Sequence, residues 1–271
     1  MHSVESNLRK LKLLVVFQDA MAVIPVIVLY LQDNGLTLAQ AFQLQAIFSV
    51  ALLVMEVPSG YLSDRWGRKP TLVAGSAFGL VGACVYAAGS QFWHFAAAEM
   101  LLAVVFAFHS GTVEALTKES LLAVNRAHEF RKTMRVQSSL AMTSQAVAGI
   151  IGGFLATFSL RLPFVLEIVA FICALAVTLR LVEPSRHIVS EAEETKSMWK
   201  VFQYTLSRHS SLRGIILAGS TISLLTLMLF WFTQPYQQLV ELPLALFGLS
   251  HAVMVLGAVG ANVLAGRLEH G

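Results

Sequence analysis

Eight charge-poor apolar stretches follow one another along this chain, at about residues 13 to 31, 39 to 62, 71 to 89, 92 to 117, 138 to 158, 162 to 182, 214 to 233 and 245 to 266. Each is roughly the length of helix that crosses ~30 Å of hydrocarbon. A backbone inside hydrocarbon must satisfy its own N–H and C=O groups, so stretches of this kind form helices. The expected fold class is therefore an all-α polytopic membrane protein. Composition agrees: 56% of residues are hydrophobic and 13% charged, and the mean hydropathy is +0.69, values outside the range of soluble domains. The first stretch runs apolar from Leu13 to Leu31 with no small-x-small cleavage site before Asp33, so it reads as a retained span rather than a signal peptide.

A basic pI of about 9.0 would suit nucleic acid, but the positions of the basic residues exclude that class. With the N-terminus in the cytoplasm, every lysine and arginine except Arg161 falls on the inner side of the spans. That asymmetry sets orientation in multi-pass proteins. Both termini are expected in the cytoplasm of a cell with this protein in its inner (plasma) membrane, with Asp33, Arg161 and Glu241 outside. Cys84 and Cys173 lie within apolar stretches and read as small packing residues.

The densest charge sits between the second and third spans, in Gly60-Tyr61-Leu62-Ser63-Asp64-Arg65-Trp66-Gly67-Arg68-Lys69. Charges are costly next to hydrocarbon, so this run belongs in the interface, where glycines allow a tight turn. It resembles the loop between helices 2 and 3 of the major facilitator superfamily of secondary transporters, G-x-L-(A/S)-D-R-x-G-R-(K/R), and Gly60, Leu62, Ser63, Asp64, Arg65, Gly67, Arg68 and Lys69 fill every defined position.

The resemblance implies two six-helix bundles that alternate access to a central site, transporting a small solute with a proton or another coupling ion and no cofactor. It implies a complete N-terminal bundle here, followed by the first two helices of the second bundle. Twelve helices are implied where eight are present, so the chain by itself is expected to be inactive unless the others come from a homodimer or a complementing C-terminal half. In the family the second arginine of the loop pairs with an acid at the cytoplasmic end of helix 4, which implies Arg68 with Glu114 or Glu119. Glu119 answering Lys118 at the surface is the other reading. Glu56, just before the loop, is expected to order it by hydrogen bonding. Ala148-Gly149-Ile150-Ile151-Gly152-Gly153 is similar to the Gly-Pro-x-x-Gly-Gly motif of the drug and proton antiporter branch, keeping the final glycine pair and lacking the proline. Antiporter membership and plain small-x-x-x-small packing of Gly149 and Gly153 both fit it.

Organisation follows the spans. Residues 1–182 form the expected N-terminal bundle, 183–212 a polar central segment and 213–271 the first two helices of the second bundle. Trp199, Phe202 and Leu206 share a helical face, as in an amphipathic helix lying on the inner membrane surface; a linker is the alternative. Thr37 and Gln40 are spaced as a capping box at the start of the second span, and Pro243 suits an early position of the eighth.

Acids within spans are functional candidates, since an unpaired carboxylate at depth costs about 2.5 to 3.5 kcal/mol. Asp19, Glu56, Glu99, Glu114 and Glu167 qualify. Asp19 has no basic residue in any span to neutralise it and is the first candidate for proton coupling or for a cationic group, against a structural hydrogen-bonding role. Glu99 and Glu114 follow, on one face of the fourth span but roughly 22 Å apart along it. Gln43, Gln45, Thr143, Ser144, Gln145, Gln234, Tyr236 and Gln237 read mostly as interhelical hydrogen bonds, and His109 as a packed residue. No metal-ligating, phosphate-cradling or nucleophile motif appears, so an enzyme is not expected. The expected activity is proton-coupled efflux of a lipophilic or cationic compound. A transporter-derived binding or regulatory protein is the alternative, and it would tolerate loss of Asp19.

Overall fold

The computed structural model describes residues 2–184 and 210–268, all of whose regular structure is helical. In chain order the helices are α1 (His2–Gln18), α2 (Ile27–Asp33), α3 (Leu38–Trp66), α4 (Arg68–Ala88), α5 (Phe92–Ala123), α6 (Phe130–Ala156), α7 (Leu162–Leu179), α8 (Ser210–Leu239) and α9 (Ala245–Leu268). Six of the described helical stretches are long and apolar enough to cross a membrane: those of α3 to α7, and Ile216–Leu239 within α8. The chain divides into two compact units, Met1–Pro184 with Leu242–Gly271, and Ser185–Glu241.

In the first unit the first span is not one helix. The sequence leads one to expect a continuous helix over 13 to 31, but α1 stops at Gln18 and the chain resumes with a 3₁₀ turn at Ile24–Val26 and then α2. Pro25 is the reason: it has no N–H for the Met21 carbonyl, and its ring would crowd that carbonyl in a continuing helix. Between the pieces the Asp19 amide still bonds Val15 O at 3.0 Å, while Met21 N turns back to Asp19 O at 2.8 Å. The Val16 carbonyl accepts instead from the Ser144 hydroxyl of α6, at 2.6 Å.

Two apolar layers hold the bundle. Leu11, Leu14, Val15, Leu72, Val113, Leu116, Ala174 and Leu181 pack near the end that carries the basic connections. Near the opposite end, Tyr30, Tyr86, Phe95 and Phe164 are fully buried, with Tyr86 stacked on Phe164 at 5.3 Å between centroids. Gly79 of α4 lies so close under the Phe171 ring that a Cβ would collide with it.

The Thr37–Gln40 capping box forms as expected, with Gln40 N donating to Thr37 Oγ1 at 3.2 Å and Thr37 N to Gln40 Oε1 at 2.9 Å. From there α3 runs 29 residues, through most of the charged run at 60–69. Gly60 to Trp66 are helical, and the turn is made by Gly67 alone.

In the second unit α8 contains Pro235 near its end. Thr221, Thr226 and Thr233 return their hydroxyls to carbonyls four residues back, each at 2.8 Å, which satisfies them without a neighbouring helix. Trp199, Phe202 and Leu206 lie outside the described residues.

Candidate functional site

Gly67 has φ +122°, a conformation in which a side chain is strained. α4 starts immediately after it. Arg68 then reaches back across the turn: its Nη1 is 2.6 Å from Asp64 Oδ1 and donates to Ser63 Oγ at 2.9 Å, and its Nε donates to Glu119 Oε1 at 3.1 Å. Thr112 of α5 donates to the same Ser63 hydroxyl at 2.9 Å. One guanidinium thereby ties α3 to α5 at the basic end. Of the two acids expected for Arg68, Glu119 is the one it meets. Glu114, five residues earlier and on another side of α5, is exposed. Arg65 bonds Tyr61 OH at 2.7 Å.

Glu56 does not order this turn. It is exposed on α3, and the bond made there is from Ser59 Oγ to the Glu56 backbone carbonyl, at 2.8 Å. The ordering carboxylate is Glu183, which the sequence reading passed over. Its two oxygens accept from Arg68 N at 2.8 Å and Lys69 N at 2.7 Å. Pro70 has no N–H, and Thr71 N bonds Gly67 O at 3.2 Å. Every donor in the first turn of α4 is thus accounted for, with a negative charge at the positive end of the helix.

Glu183 is held by a clasp from α1. Asn7, fully buried, donates to Val182 O at 2.7 Å and to Ser120 Oγ at 3.2 Å, and accepts from Val182 N at 3.0 Å. Lys10 Nζ bonds Arg180 O at 2.5 Å. A sequence signal for Asn7 exists: it shares a helical face with Leu11 and Leu14, where a polar residue demands buried partners.

The glycines of α6 face two neighbours. A Cβ on Gly152 would run into the Ala22 carbonyl in the break of the first span. One on Gly153 would come within 2.6 Å of Gly248 N in α9, and one on Gly149 within 2.7 Å of the His251 ring. The expected close packing of Gly149 and Gly153 is present, and its partners are α9 and the broken segment.

The candidate acids lie apart. Asp19 sits at the break, half-buried, its carboxyl without a hydrogen-bond or ion-pair partner among the described residues. Glu99 is 4% exposed and accepts from Tyr86 OH at 2.5 Å and Gln45 Nε2 at 3.0 Å. Tyr30 OH in turn donates to the Tyr86 carbonyl at 2.8 Å. Glu167 of α7 is buried within electrostatic reach of Glu99. Gln45 and Ser144 thus bond between helices, as expected of such residues, and the His109 ring is packed, its Nε2 buried without a partner among the described residues.

Membrane-length helices, a broken first span and an ion-paired turn between the second and third spans mark this as a multi-pass membrane protein. The profile of the Major Facilitator Superfamily matches residues 13–270, and the chain belongs to that family. It is similar to the quinolone resistance protein NorA of Staphylococcus aureus, 28% identical over 190 residues that cover 66% of this chain and 47% of the relative. It is also similar to the uncharacterized MFS-type transporter YxaM of Bacillus subtilis, 24% identical over 148 residues, covering 55% of this chain and 36% of that one. The chain thus spans about half the length of NorA or less of each of these relatives. In fold it is similar to a crystal structure of a D-xylose-proton symporter, with a TM-score of 0.66 at 14% identity, over 98% of this chain and 68% of the symporter.

Proposed function

We propose that the protein serves secondary active transport by alternating access, as a proton-coupled exporter of a lipophilic or cationic small compound, with Asp19 as the group that exchanges the proton or meets the cation. The observation that carries this reading is the break of the first span at Asp19. Discontinuous helices line the substrate and ion sites of secondary transporters, and here the break carries a half-buried carboxyl with no partner among the described residues. Similarity to a quinolone resistance protein supports export. Glu99, already bonded by Tyr86 and Gln45, and Glu114, exposed on α5, are the secondary coupling candidates. The segment that carries Gly60, Asp64, Arg65, Gly67, Arg68 and Lys69 acts as the gate at the cytoplasmic side of the plasma membrane, with Glu119 as partner of Arg68.

Rocking needs a wall on each side of the cavity. Transport is therefore assigned to the assembly in which a second bundle faces residues 1–182, from the same chain or another. The test is efflux of a fluorescent cation from proteoliposomes holding that assembly under an imposed proton gradient. Asp19→Asn is expected to abolish uphill efflux while keeping exchange down the compound's own gradient. Full uphill efflux by the variant would refute the assignment and would favour Glu99, Glu114 or a regulatory role.

A further inference from the structure

Helix α4 packs on α5 along one side and on α7 along another. Its register with α7 is fixed at two levels, where Tyr86 stacks on Phe164 and where Gly79 lies under the Phe171 ring. Both pairs are separated by the same number of residues on antiparallel helices, so Glu167, one turn beyond Phe164, is level with the buried Ala83. From the other side α5 brings Glu99 to the same tyrosine. Glu99 Oε1 accepts from Tyr86 OH at 2.5 Å and from Gln45 Nε2 of α3 at 3.0 Å. The two acids share one depth, since α5 starts at Phe92 and α7 at Leu162, roughly 10 Å and 8 Å before Glu99 and Glu167 along the helix axes.

The surroundings of this pair are dry and hold no counter-charge. Tyr30, Tyr86, Phe95 and Phe164 close its end of the bundle and are fully buried. Glu167 is 8% exposed and makes no hydrogen bond or ion pair among the described residues. It lies within electrostatic reach of both Glu99 and Tyr86. No lysine, arginine or histidine among the described residues acts on either carboxyl, and Asp33 and Arg161 act on Tyr30.

An unpaired carboxylate at depth costs about 2.5 to 3.5 kcal/mol, and two neighbouring ones also repel each other. One proton on the pair removes both costs. The two donors at Glu99 Oε1 stabilise an ionised carboxyl there, whereas Glu167 has no donor among the described residues and is left to the acid form. Because those donors turn an O–H and an N–H towards Glu99, they oppose a metal cation at the same oxygen. We propose that Glu99 and Glu167 form one binding site for a single proton, held on Glu167 while Glu99 remains ionised. The site is built by α3, α4, α5 and α7 of the first unit alone, is distinct from Asp19, and does not depend on the transport reading.

Infrared spectroscopy of the chain in lipid nanodiscs tests this, because a protonated carboxyl and a carboxylate absorb in separate bands. At about pH 7 an exposed glutamate is ionised. There the wild type minus Glu167→Gln difference is expected to contain a protonated-carboxyl band, and the wild type minus Glu99→Gln difference a net carboxylate band. Subtraction removes the signal of Asp19, and Asp19→Asn should leave both differences unchanged. Loss of the neighbouring charge makes Glu167 easier to ionise, so in Glu99→Gln its band should titrate away at lower pH, with proton affinity at least about tenfold weaker than in the wild type. If Glu167→Gln does not fold, that titration still reads the coupling. A carboxylate band from Glu167, a protonated-carboxyl band from Glu99, or an unmoved midpoint in Glu99→Gln overturns the proposal. So does a wild-type midpoint that falls when sodium replaces choline at constant ionic strength, which would mark a site for a metal cation.

Discussion

Glu183→Ala removes the acceptor of two bonds at the start of α4, from Arg68 N at 2.8 Å and Lys69 N at 2.7 Å. A hydrogen bond to a charged group contributes about 1.5–3 kcal/mol, and deletion of a helix cap costs about 0.5–2 kcal/mol. Glu183 is half-buried, so water replaces part of what is lost, and a combined cost of about 2 kcal/mol follows from the lower parts of those ranges. At 1.4 kcal/mol per factor of ten, local opening of the turn becomes about 30-fold more frequent. Glu183→Gln keeps one carbonyl oxygen and turns its amide towards the other donor, so it loses about half as much, a factor of about five. Hydrogen exchange of the protein in lipid nanodiscs reads this directly at the Arg68 and Lys69 amides. Acceleration should be confined to the first turn of α4 and follow the order alanine, glutamine, wild type. Exchange of the alanine variant within twofold of wild type at both amides would refute the cap, as would equal acceleration along the whole of α4.

Gly152→Ala forces a methyl onto the Ala22 carbonyl, an overpacking cost of about 1–3 kcal/mol, whereas Gly60→Ala enters open space within a helix and should be neutral or slightly stabilising; equal Tm values for the two in detergent would contradict this. Glu99→Leu strands the Tyr86 hydroxyl and the Gln45 amide in the core and should cost about 1–2 kcal/mol. Glu99→Gln, which keeps an acceptor, should lie within about 1 kcal/mol of wild type by the same thermal unfolding; the reverse order would show that the bonds are not what stabilises this layer. Single cysteines at Asp33, Arg161 and Glu241 should react with an impermeant thiol reagent from outside the cell, and protection at all three would reverse the proposed orientation.

Spans were legible because hydropathy over some 20 residues is an average that few local details disturb. The break in the first span was not, because it hangs on one residue: Pro25 lies within an apolar run and acts four residues upstream, on Met21. The loop at 60–69 showed the same limit in reverse. Both of its glycines read as residues of a tight turn, yet only Gly67 adopts a conformation that needs glycine, and Gly60 is an ordinary helical residue. Arg68 with Glu119 could be anticipated within a pair of acids one turn or so apart. Glu183 could not, since its partners are backbone amides 114 and 115 residues away, and backbone groups leave no mark in a sequence. Asp19, Glu99 and Glu114 were picked out by the cost of burying charge, which identifies an acid without saying what satisfies it; Tyr86 and Gln45 do so for Glu99.

The clasp between Asn7 and Val182 joins residues 175 apart. A ribosome working at about 5–20 residues per second needs roughly 10–35 s to make that much chain. Throughout that interval the first helix, already interrupted at Asp19, can hold only the bond of Asn7 to Ser120 and that of the Val16 carbonyl to Ser144, and the two bonds to Val182 form only when the sixth span has emerged. Biogenesis of this bundle therefore closes from its last helix back onto its first, and a lesion at Asn7 would show itself as a nascent chain slow to become protease-resistant before it appeared as any defect in transport.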